Sequence, residues 1–535
     1  MVSTPILTVT RMVMRRPAQI AAVLALAVVV TGVTWNTRVA AGADAYGYVS
    51  QADLWLRGDL HIDQSFVAAV PWPLARWTFT PLGYRPEPVG LRIVPVYAPG
   101  LPMLMAAAKA LIGQCGLFLI VPLSGGVLVF ATYLIGARIG RPLVGVAASA
   151  LVATSPAMLF MMMAPMSDVP AAAAWAVAVA SVLLDTMAGA ALAGVASALA
   201  ILIRPNLAPL AALLAAWLVW RHGVRPRALV FTLCASIGAA SVAVVNARLY
   251  GSPLASGYVD FSTAFSFSYV LTNLNHYLTW LASAETVFAL AGLACLAVPA
   301  PLVWRTRQSR DARILLALFA AVVWVSYLLY VPYDAWWYLR FLLPSWPMMA
   351  IGTASLLASA WHRRPGLGRP VAALALVAIC AAHLVQANRR DTFNVARGEA
   401  KYVEVARVVE SLTSPDAVVI SAVHSGSLRY YAGRLTLRWD YVDPSWLDRV
   451  VEWLAAHGHH PYLLLEEAEI GELRTKHGRV SAVGRLDWQP LVSFRGGAVR
   501  FYDAAERSRT TPAVEQTPSG AVRACVPQRP FPRLR

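Results

Sequence analysis

Long apolar stretches recur through the first 386 residues and are separated by short polar segments. Most hold about 18 to 22 residues, and a helix of that length crosses a hydrocarbon layer of roughly 30 Å. A helix satisfies its own backbone hydrogen bonds there. The pattern predicts a mainly α, polytopic membrane protein with about eleven transmembrane helices. The predicted spans are 18–35, 117–137, 144–163, 170–186, 188–203, 206–220, 228–247, 285–304, 313–331, 341–361 and 370–386.

The pattern changes after residue 386, where apolar runs shorten and acidic residues appear. Residues 387–505 are predicted to form a soluble α/β domain, with helices at 400–413 and 444–457 and strands at Ala417–Ser421 and Pro461–Leu465. Residues 506–535 have a composition typical of a disordered tail. The chain thus divides into a membrane module (1–386), a soluble domain and a tail.

Composition supports a membrane protein and argues against a nucleic-acid-binding protein. Hydrophobic residues make up 58% of the chain and charged residues only 14%, which is unusual for a soluble enzyme. The net charge of +17 would suggest a nucleic-acid partner, but the arginines gather in short loops between apolar runs. Such clustering indicates membrane topology, so no nucleic-acid partner is expected.

The basic loops predict an orientation in the inner (plasma) membrane with a cytoplasmic N-terminus. If Pro99–Ile112 does not cross, every strongly basic short loop falls on the cytoplasmic side. Residues 38–116 then form a first external loop containing a surface helix, and 248–284 a second external loop. The C-terminal domain becomes external, or periplasmic. The basic loops contain Arg138 and Arg141, then Arg221, Arg225 and Arg227, then Arg305, Arg307, Arg310 and Arg313, then Arg363, Arg364 and Arg369.

Two features of the sequence bear on processing and on covalent links. The N-terminal segment has the features of a signal peptide cleaved after Ala41 or of a retained first span, and its length favours retention. The five cysteines sit singly, and their spacing predicts neither a metal site nor a disulfide. They are Cys115, Cys234, Cys295, Cys380 and Cys525.

Asp44 lies a few residues beyond the first span, within Gly42-Ala43-Asp44-Ala45-Tyr46-Gly47-Tyr48. A carboxylate at this boundary can take a proton from an acceptor hydroxyl that attacks a sugar carried on a lipid phosphate. One base suffices, because the phosphate leaves as an anion. The alternative is that Asp44 caps a helix beginning near Ala45.

Further charged residues lie at predicted external span ends. Asp168 is central to the turn Ala164–Pro170 and suits either catalysis or a turn. Arg204 and Arg340 suit bidentate binding of a phosphate headgroup or, alternatively, snorkelling towards lipid. His61 and Asp63 are weak candidates to bind a divalent cation together with Asp44.

The order and spacing of these residues resemble the GT-C superfamily of membrane glycosyltransferases, which includes protein O-mannosyltransferases and lipid A aminoarabinose transferases. The matching residues are Asp44 after the first span, Tyr97-Ala98-Pro99-Gly100-Leu101-Pro102 opening a surface helix, Asp168, Arg204-Pro205, and Tyr338-Leu339-Arg340-Phe341-Leu342-Leu343-Pro344. Many relatives carry Asp-Glu and Tyr-Pro-Pro where this chain has Asp44-Ala45 and Tyr97-Ala98-Pro99.

The resemblance implies an inverting glycosyltransferase that moves a hexose or pentose from a polyprenyl phosphate to a lipid-linked, glycan or protein acceptor on the external face. Asp44 and Asp168 are the expected catalytic residues. Arg204, Arg340, Tyr46, Tyr97 and Tyr338 are expected to bind substrate. The only cofactor that the sequence suggests is a divalent cation. The alternatives are a lipid or sugar transporter or flippase, and a non-catalytic envelope assembly protein.

Overall fold

The structure is a computed structural model that describes residues 4–223, 225–258, 261–363, 365–516, 522 and 524–532. Apolar helices form the first part of the chain, as predicted. They are α1 (Thr4–Trp35), α2 (Asp44–Arg57), α3 (Ala75–Thr78), α4 (Gly100–Ile112), α5 (Ile120–Ile139), α6 (Pro142–Thr154), α7 (Pro156–Met162), α8 (Asp168–Val182), α9 (Met187–Ile203), α10 (Pro209–His222), α11 (Pro226–Tyr250), α12 (Phe261–Ala264), α13 (Val270–Trp280), α14 (Val287–Ala297), α15 (Arg307–Leu328), α16 (Trp346–Arg363) and α17 (Pro365–Arg389).

The predicted polytopic helical fold is confirmed, although the helices differ in length. In the part of the chain described, six helices are long and apolar enough to cross a membrane, or up to eight if two bent pairs each form one span. The other three predicted spans fall on α8, α9 and α10, which have 15, 17 and 14 residues. The sequence therefore placed these three helices to within a few residues, and each is shorter than the roughly 20 residues typical of a membrane span.

Two of the predicted spans are interrupted. Helices α6 and α7 meet at a 57° bend, and the segment Phe267–Glu285 meets α14 at a 119° bend. Helix α14 has 11 residues, so the span predicted at 285–304 is wrong in its extent. A further departure is the 3₁₀ segment Trp336–Ser345, which precedes α16 and contains Arg340. Breaks of this kind place polar backbone inside a protein where side chains must satisfy it.

Residues 38–116, predicted as the first external loop, form an ordered layer. It contains α2, α3 and the expected surface helix α4, together with a small antiparallel sheet in the order β1 (Ile62–Asp63), β3 (Arg92–Pro95), β2 (Tyr84–Pro86). Helix α2 is buried along most of its length from Ala45 to Leu54. A loop packed in this way can hold side chains in fixed positions.

The predicted C-terminal α/β region contains a six-stranded mixed sheet in the order β5-β4-β6-β8-β7-β9. The predicted helices and strands at 400–413, 417–421, 444–457 and 461–465 are confirmed as α19, β4, α21 and β6. The elements are α18 (Val395–Glu399), α19 (Lys401–Leu412), β4 (Val418–Ile420), α20 (Ser425–Ser427), β5 (Leu435–Leu437), α21 (Leu447–Ala456), β6 (Pro461–Glu466), α22 (Glu467–His477), α23 (Ala482–Arg485), β7 (Val492–Phe494), β8 (Val499–Asp503) and β9 (Val514–Gln516).

Residues 38–116 and the C-terminal region share one hydrophobic core. The ring of Tyr46 lies so close to Gly426 that a Cβ on Gly426 would stand 2.2 Å from it. The buried Arg429 donates to the carbonyl of Phe79 at 2.6 Å. This contact could not be predicted from the sequence, because the two segments are far apart in the chain and local patterns do not connect them.

The C-terminal tail corrects two predictions. Cys115, just after α4, forms a disulfide with Cys525. Strand β9 joins the sheet, and Arg529 pairs with Glu410 at 2.7 Å. The described residues of the tail are thus ordered rather than disordered, and a disulfide exists where the sequence predicted none. The pairing spans 410 residues, so local spacing could not indicate it.

Candidate active site

Asp44 is the first residue of α2, so its carboxylate lies at the positive end of the helix dipole. Its Oδ1 accepts a hydrogen bond from the Tyr97 hydroxyl at 2.7 Å, and its Oδ2 accepts one from Nη1 of Arg340 at 3.2 Å. The side chain is 35% exposed. Ala43 occupies the N-cap position, so the capping interpretation of Asp44 is wrong.

Asp168 occupies the equivalent position on α8 but is completely buried, with 0% exposure. Its Oδ1 accepts a hydrogen bond from Nη2 of Arg204 at 2.6 Å and lies 3.9 Å from Nε of Arg340. Its Oδ2 has no hydrogen-bond partner within the described part of the chain. A buried carboxylate is stable only beside cations, and here two guanidinium groups fill that need.

Arg204 follows the last residue of α9 and precedes Pro205, which prevents the helix from continuing. Its three guanidinium nitrogens are all used: Nη2 binds Asp168, Nε donates to Ser167 Oγ at 3.1 Å, and Nη1 donates to the hydroxyl of Tyr327 at 3.1 Å. The side chain remains 13% exposed. This network fixes the guanidinium in one orientation.

Arg340 links the two carboxylates, since it contacts both Asp44 and Asp168. Its guanidinium carbon lies 5.1 Å from the ring centroid of Tyr338 and 5.3 Å from that of Phe341. Phe341 also lies 5.8 Å from the guanidinium carbon of Arg204. The two arginines therefore flank one aromatic ring, and their positive charges are held close together.

Tyr48 contacts residues on both sides of the site. Its ring packs on that of Tyr97 at 4.6 Å, and its hydroxyl donates to Ser167 Oγ at 2.9 Å. Burial, together with the nearby charge of Asp44, raises the pKa of Tyr48 to about 12. The same two causes raise the pKa of Tyr97 well above its usual range. Both phenols stay protonated at neutral pH, so Tyr97 is held as a donor to Asp44.

The predicted site residues fall into two groups. Asp44, Asp168, Arg204, Arg340 and Tyr97 form one continuous network, and Tyr338 lies beside it through its contact with Arg340.

Tyr46 is placed elsewhere. It is fully buried, and its ring lies near those of Tyr84 and Tyr430 at centroid distances of 5.7 and 6.4 Å. The geometry gives no support to its predicted role in substrate binding, which stays a prediction.

The metal hypothesis gains no support from the geometry. Within the described ranges, no three His, Cys, Asp or Glu side chains form a group that could hold a metal ion. His61 Nδ1 lies 2.9 Å from Asp59 Oδ1, and Asp63 accepts a hydrogen bond from Ser65 Oγ at 2.8 Å. The neutralising charges beside Asp44 and Asp168 are guanidinium groups instead.

Three contributors were missed from the sequence. Tyr48 follows Asp44 by one helical turn on α2, and this spacing was a usable signal. Ser167 directly precedes Asp168, but a serine in a turn is too common to single out. Tyr327 lies near the end of α15, and nothing in the local sequence distinguishes it.

Solved structures with this arrangement of elements are known. The chain superimposes on the apo structure of ArnT from Cupriavidus metallidurans with a TM-score of 0.54 and 12% identity, over 89% of this chain and 96% of that one. The same protein bound to undecaprenyl phosphate gives a TM-score of 0.53 and 13% identity, over 85% and 94% of the two chains. The oligosaccharyltransferase of Archaeoglobus fulgidus in its apo form gives 0.54 and 14%, over 93% and 75%.

The chain has the GT-C fold. The resemblance expected from Asp44, Asp168, Arg204 and Arg340 is thereby confirmed at the level of the fold. No protein-family model and no curated protein matches the chain significantly by sequence. With identities of 12 to 14%, the GT-C fold was recoverable only from the order of short motifs and from the tertiary structure.

Proposed function

We propose that this protein is a membrane glycosyltransferase that transfers one sugar from a polyprenyl-phosphate donor to an acceptor at the external face, with inversion. The observation that carries the proposal is the partly exposed carboxylate of Asp44 in contact with Arg340, which shares the buried carboxylate of Asp168 with Arg204. A base and an anion-binding pair in one network are the parts that such a transfer needs. The undecaprenyl phosphate bound to ArnT supports the donor class.

The chemistry is a single displacement. The acceptor hydroxyl oxygen forms a bond to the anomeric carbon while its proton passes to Asp44. The bond from that carbon to the phosphate oxygen breaks, and its electron pair stays on the phosphate. Arg340 and Arg204 stabilise the charge that develops there, because guanidinium matches phosphate geometry and acts strongly in a site with little water.

Asp168 has a different role in this proposal from the catalytic one that the sequence suggested. With 0% exposure it cannot reach an acceptor hydroxyl. Its contacts to both arginines make it a positioning residue that holds them ready for the phosphate. Removing it would release two guanidinium groups at once.

The external orientation has support from two independent features. The basic loops predict that Arg138 and the other loop arginines are cytoplasmic. The disulfide between Cys115 and Cys525 is a bond that persists in oxidising compartments, which favours the periplasmic or extracellular side for α4 and the tail. The clustering of Asp44, Asp168 and Arg340 also favours an enzyme over a non-catalytic assembly protein.

The proposal can be tested with purified protein in lipid nanodiscs and a panel of undecaprenyl-phosphate hexoses and pentoses, by following release of undecaprenyl phosphate in the presence of cell-envelope acceptors. The wild type should release it from one donor, and Asp44→Asn should not. Asp63→Asn is the matched control, since Asp63 lies in the same loop but outside the network. Equal release by wild type and Asp44→Asn would refute the proposal.

A further inference from the structure

A second buried carboxylate lies within the apolar helix bundle, apart from the network around Asp44. Glu285 is 3% exposed and ends a π-helical turn, Leu281–Glu285, between α13 and α14. His383 of α17 is 5% exposed and lies beside it. Ionisable side chains at such depth are costly, so their contacts indicate what they stabilise.

The Glu285 carboxylate caps the broken helix pair. Its Oε1 accepts hydrogen bonds from Ser155 Oγ at 2.7 Å and from the backbone N–H of Ala157 at 2.9 Å. Pro156 between them has no N–H, and Met158 donates to Ser155 Oγ at 3.2 Å. The N–H groups at the start of α7 that have no partner within the helix are thus satisfied by Glu285 and Ser155.

The same cluster reaches two more helices. Nε1 of Trp346, the first residue of α16, donates to Ser155 Oγ at 2.9 Å. His383 Nε2 donates to the carbonyl oxygen of Glu285 at 2.7 Å and lies 3.9 Å from its Oε2. Thr286, next in the chain, has a φ of +70°, a strained conformation for a β-branched residue. Ser155 and Glu285 together therefore join α7, α16 and α17: Ser155 links α7 to Trp346, and Glu285 contacts both the start of α7 and His383.

Two of the helices joined near Glu285, α7 and α16, are adjacent in the chain to segments of the candidate site. Helix α7 continues into the turn that contains Ser167 and Asp168. Helix α16 follows the 3₁₀ segment that contains Arg340, and Trp336 of that segment packs on Phe160 of α7 with ring centroids 4.9 Å apart. The segments that carry Asp168 and Arg340 thus each adjoin a helix whose end is joined at Ser155.

We propose that Glu285 is a positioning residue for the polyprenyl-phosphate site, acting through Ser155 and Trp346 on the separation of Asp168 and Arg340. This inference rests on the proposed function. Without the carboxylate, the N-terminus of α7 loses its cap. Ser155 is then held less firmly, and the hydrogen bond by which it joins α7 to α16 weakens. Arg340 then no longer faces Asp168 and Asp44 at the distances described.

The experiment measures the Kd for undecaprenyl phosphate and kcat of full-length protein in nanodiscs. Glu285→Ala should raise Kd at least tenfold. Glu285→Gln should stay within about threefold of wild type, because its amide oxygen still accepts both hydrogen bonds. Thr353→Val is the matched control, since buried Thr353 of α16 donates to the carbonyls of Phe288 on α14 and Met349 on its own helix rather than to Ser155 or Glu285. It should leave Kd unchanged.

A second variant, Trp346→Phe, covers the case in which Glu285→Ala fails to fold. This substitution removes the hydrogen bond to Ser155 and keeps an aromatic ring. It should raise Kd severalfold, and its thermal midpoint should be close to that of Thr353→Val. An unchanged Kd in Trp346→Phe, or equal effects of Glu285→Ala and Thr353→Val, would overturn the inference. Arg340→Ala distinguishes failure of the proposed function from failure of the inference about Glu285. If Arg340→Ala also leaves Kd unchanged, the proposed function fails. If only Arg340→Ala weakens binding, the inference about Glu285 fails alone.

Discussion

Asp44 and Asp168 are the same residue at the same position of two helices, α2 and α8, and both contact Arg340. Their surroundings differ: Asp44 is 35% exposed and accepts from a tyrosine, whereas Asp168 is 0% exposed and accepts from Arg204. Asp44 can meet an acceptor hydroxyl and Asp168 cannot. The comparison teaches that exposure, rather than residue type or charge, separates a candidate base from a residue that orients its neighbours.

The largest effect is expected at the exposed member of the pair. Asp44→Asn should lower kcat by about 10² to 10⁴, the range typical of a lost general base, because the amide cannot accept the proton. The Kd for undecaprenyl phosphate should change little, since Arg204 and Arg340 remain. Single-turnover transfer and equilibrium binding measured on the same preparation check both parts. A parallel loss of binding would make Asp44 a binding residue instead.

Replacing the buried residue, Asp168, should lower both the stability of the fold and the affinity for the donor. Asp168→Asn leaves Arg204 and Arg340 without their shared counter-ion, and breaking a buried ion pair typically costs about 3 to 5 kcal/mol of stability. We expect a lower thermal midpoint and weaker donor binding, with residual turnover greater than in Asp44→Asn at saturating donor. If Asp168→Asn abolished turnover and kept both stability and binding, Asp168 would be catalytic after all.

Arg340 contacts both carboxylates. Substitutions of Arg340 test whether donor binding needs only its positive charge or also the planar shape of guanidinium. Arg340→Ala should raise donor Kd by about 10-fold to 100-fold, in line with the loss of a charge-assisted contact of roughly 1.5 to 3 kcal/mol. Arg340→Lys should recover only part of it, because an ammonium cannot contact Asp44, Asp168 and a phosphate in the same planar arrangement. Isothermal titration with undecaprenyl phosphate measures the series, and full recovery by lysine would show that charge alone matters.

A smaller effect is expected where a neutral group supports Asp44. Tyr97→Phe removes the hydroxyl that donates to Asp44 Oδ1 and keeps the ring packed on Tyr48. The carboxylate then turns more freely, and we expect kcat to fall severalfold while donor Kd stays constant. Steady-state kinetics at several donor concentrations test this. An increase in Kd with constant kcat would place Tyr97 in donor binding, as the sequence suggested.

The smallest effect concerns a third carboxyl group, Glu399 in α18. Burial outweighs the nearby charge of Lys401 and raises its pKa from 4.5 to about 7. The folded protein therefore holds a proton that the unfolded chain releases between pH 4.5 and 7, so this contribution to stability is full below pH 4.5 and is lost as the pH rises to 7. Glu399→Gln should flatten the decline of the thermal midpoint over this range, and Glu410→Gln is a control on the adjoining helix.

Several features followed from local pattern alone. Apolar runs placed the helices, because the interior of a membrane or bundle accepts only segments that satisfy their own hydrogen bonds. Charge at span ends singled out Asp44, Asp168, Arg204 and Arg340, since ionisable groups are rarely kept there without a function. These inferences need only neighbouring residues, and the structure brings all four residues into one network.

Tertiary structure decided the rest, because it depends on contacts between residues far apart in the chain. The disulfide of Cys115 with Cys525, the burial of Tyr46 against Gly426 and the cap that Glu285 provides for α7 all join distant segments. The exposure of Asp44 and the burial of Asp168 likewise depend on what packs over each helix end. The sequence by itself determined which residues carry charge and where helices form, and the packing of those helices determined which charges remain accessible.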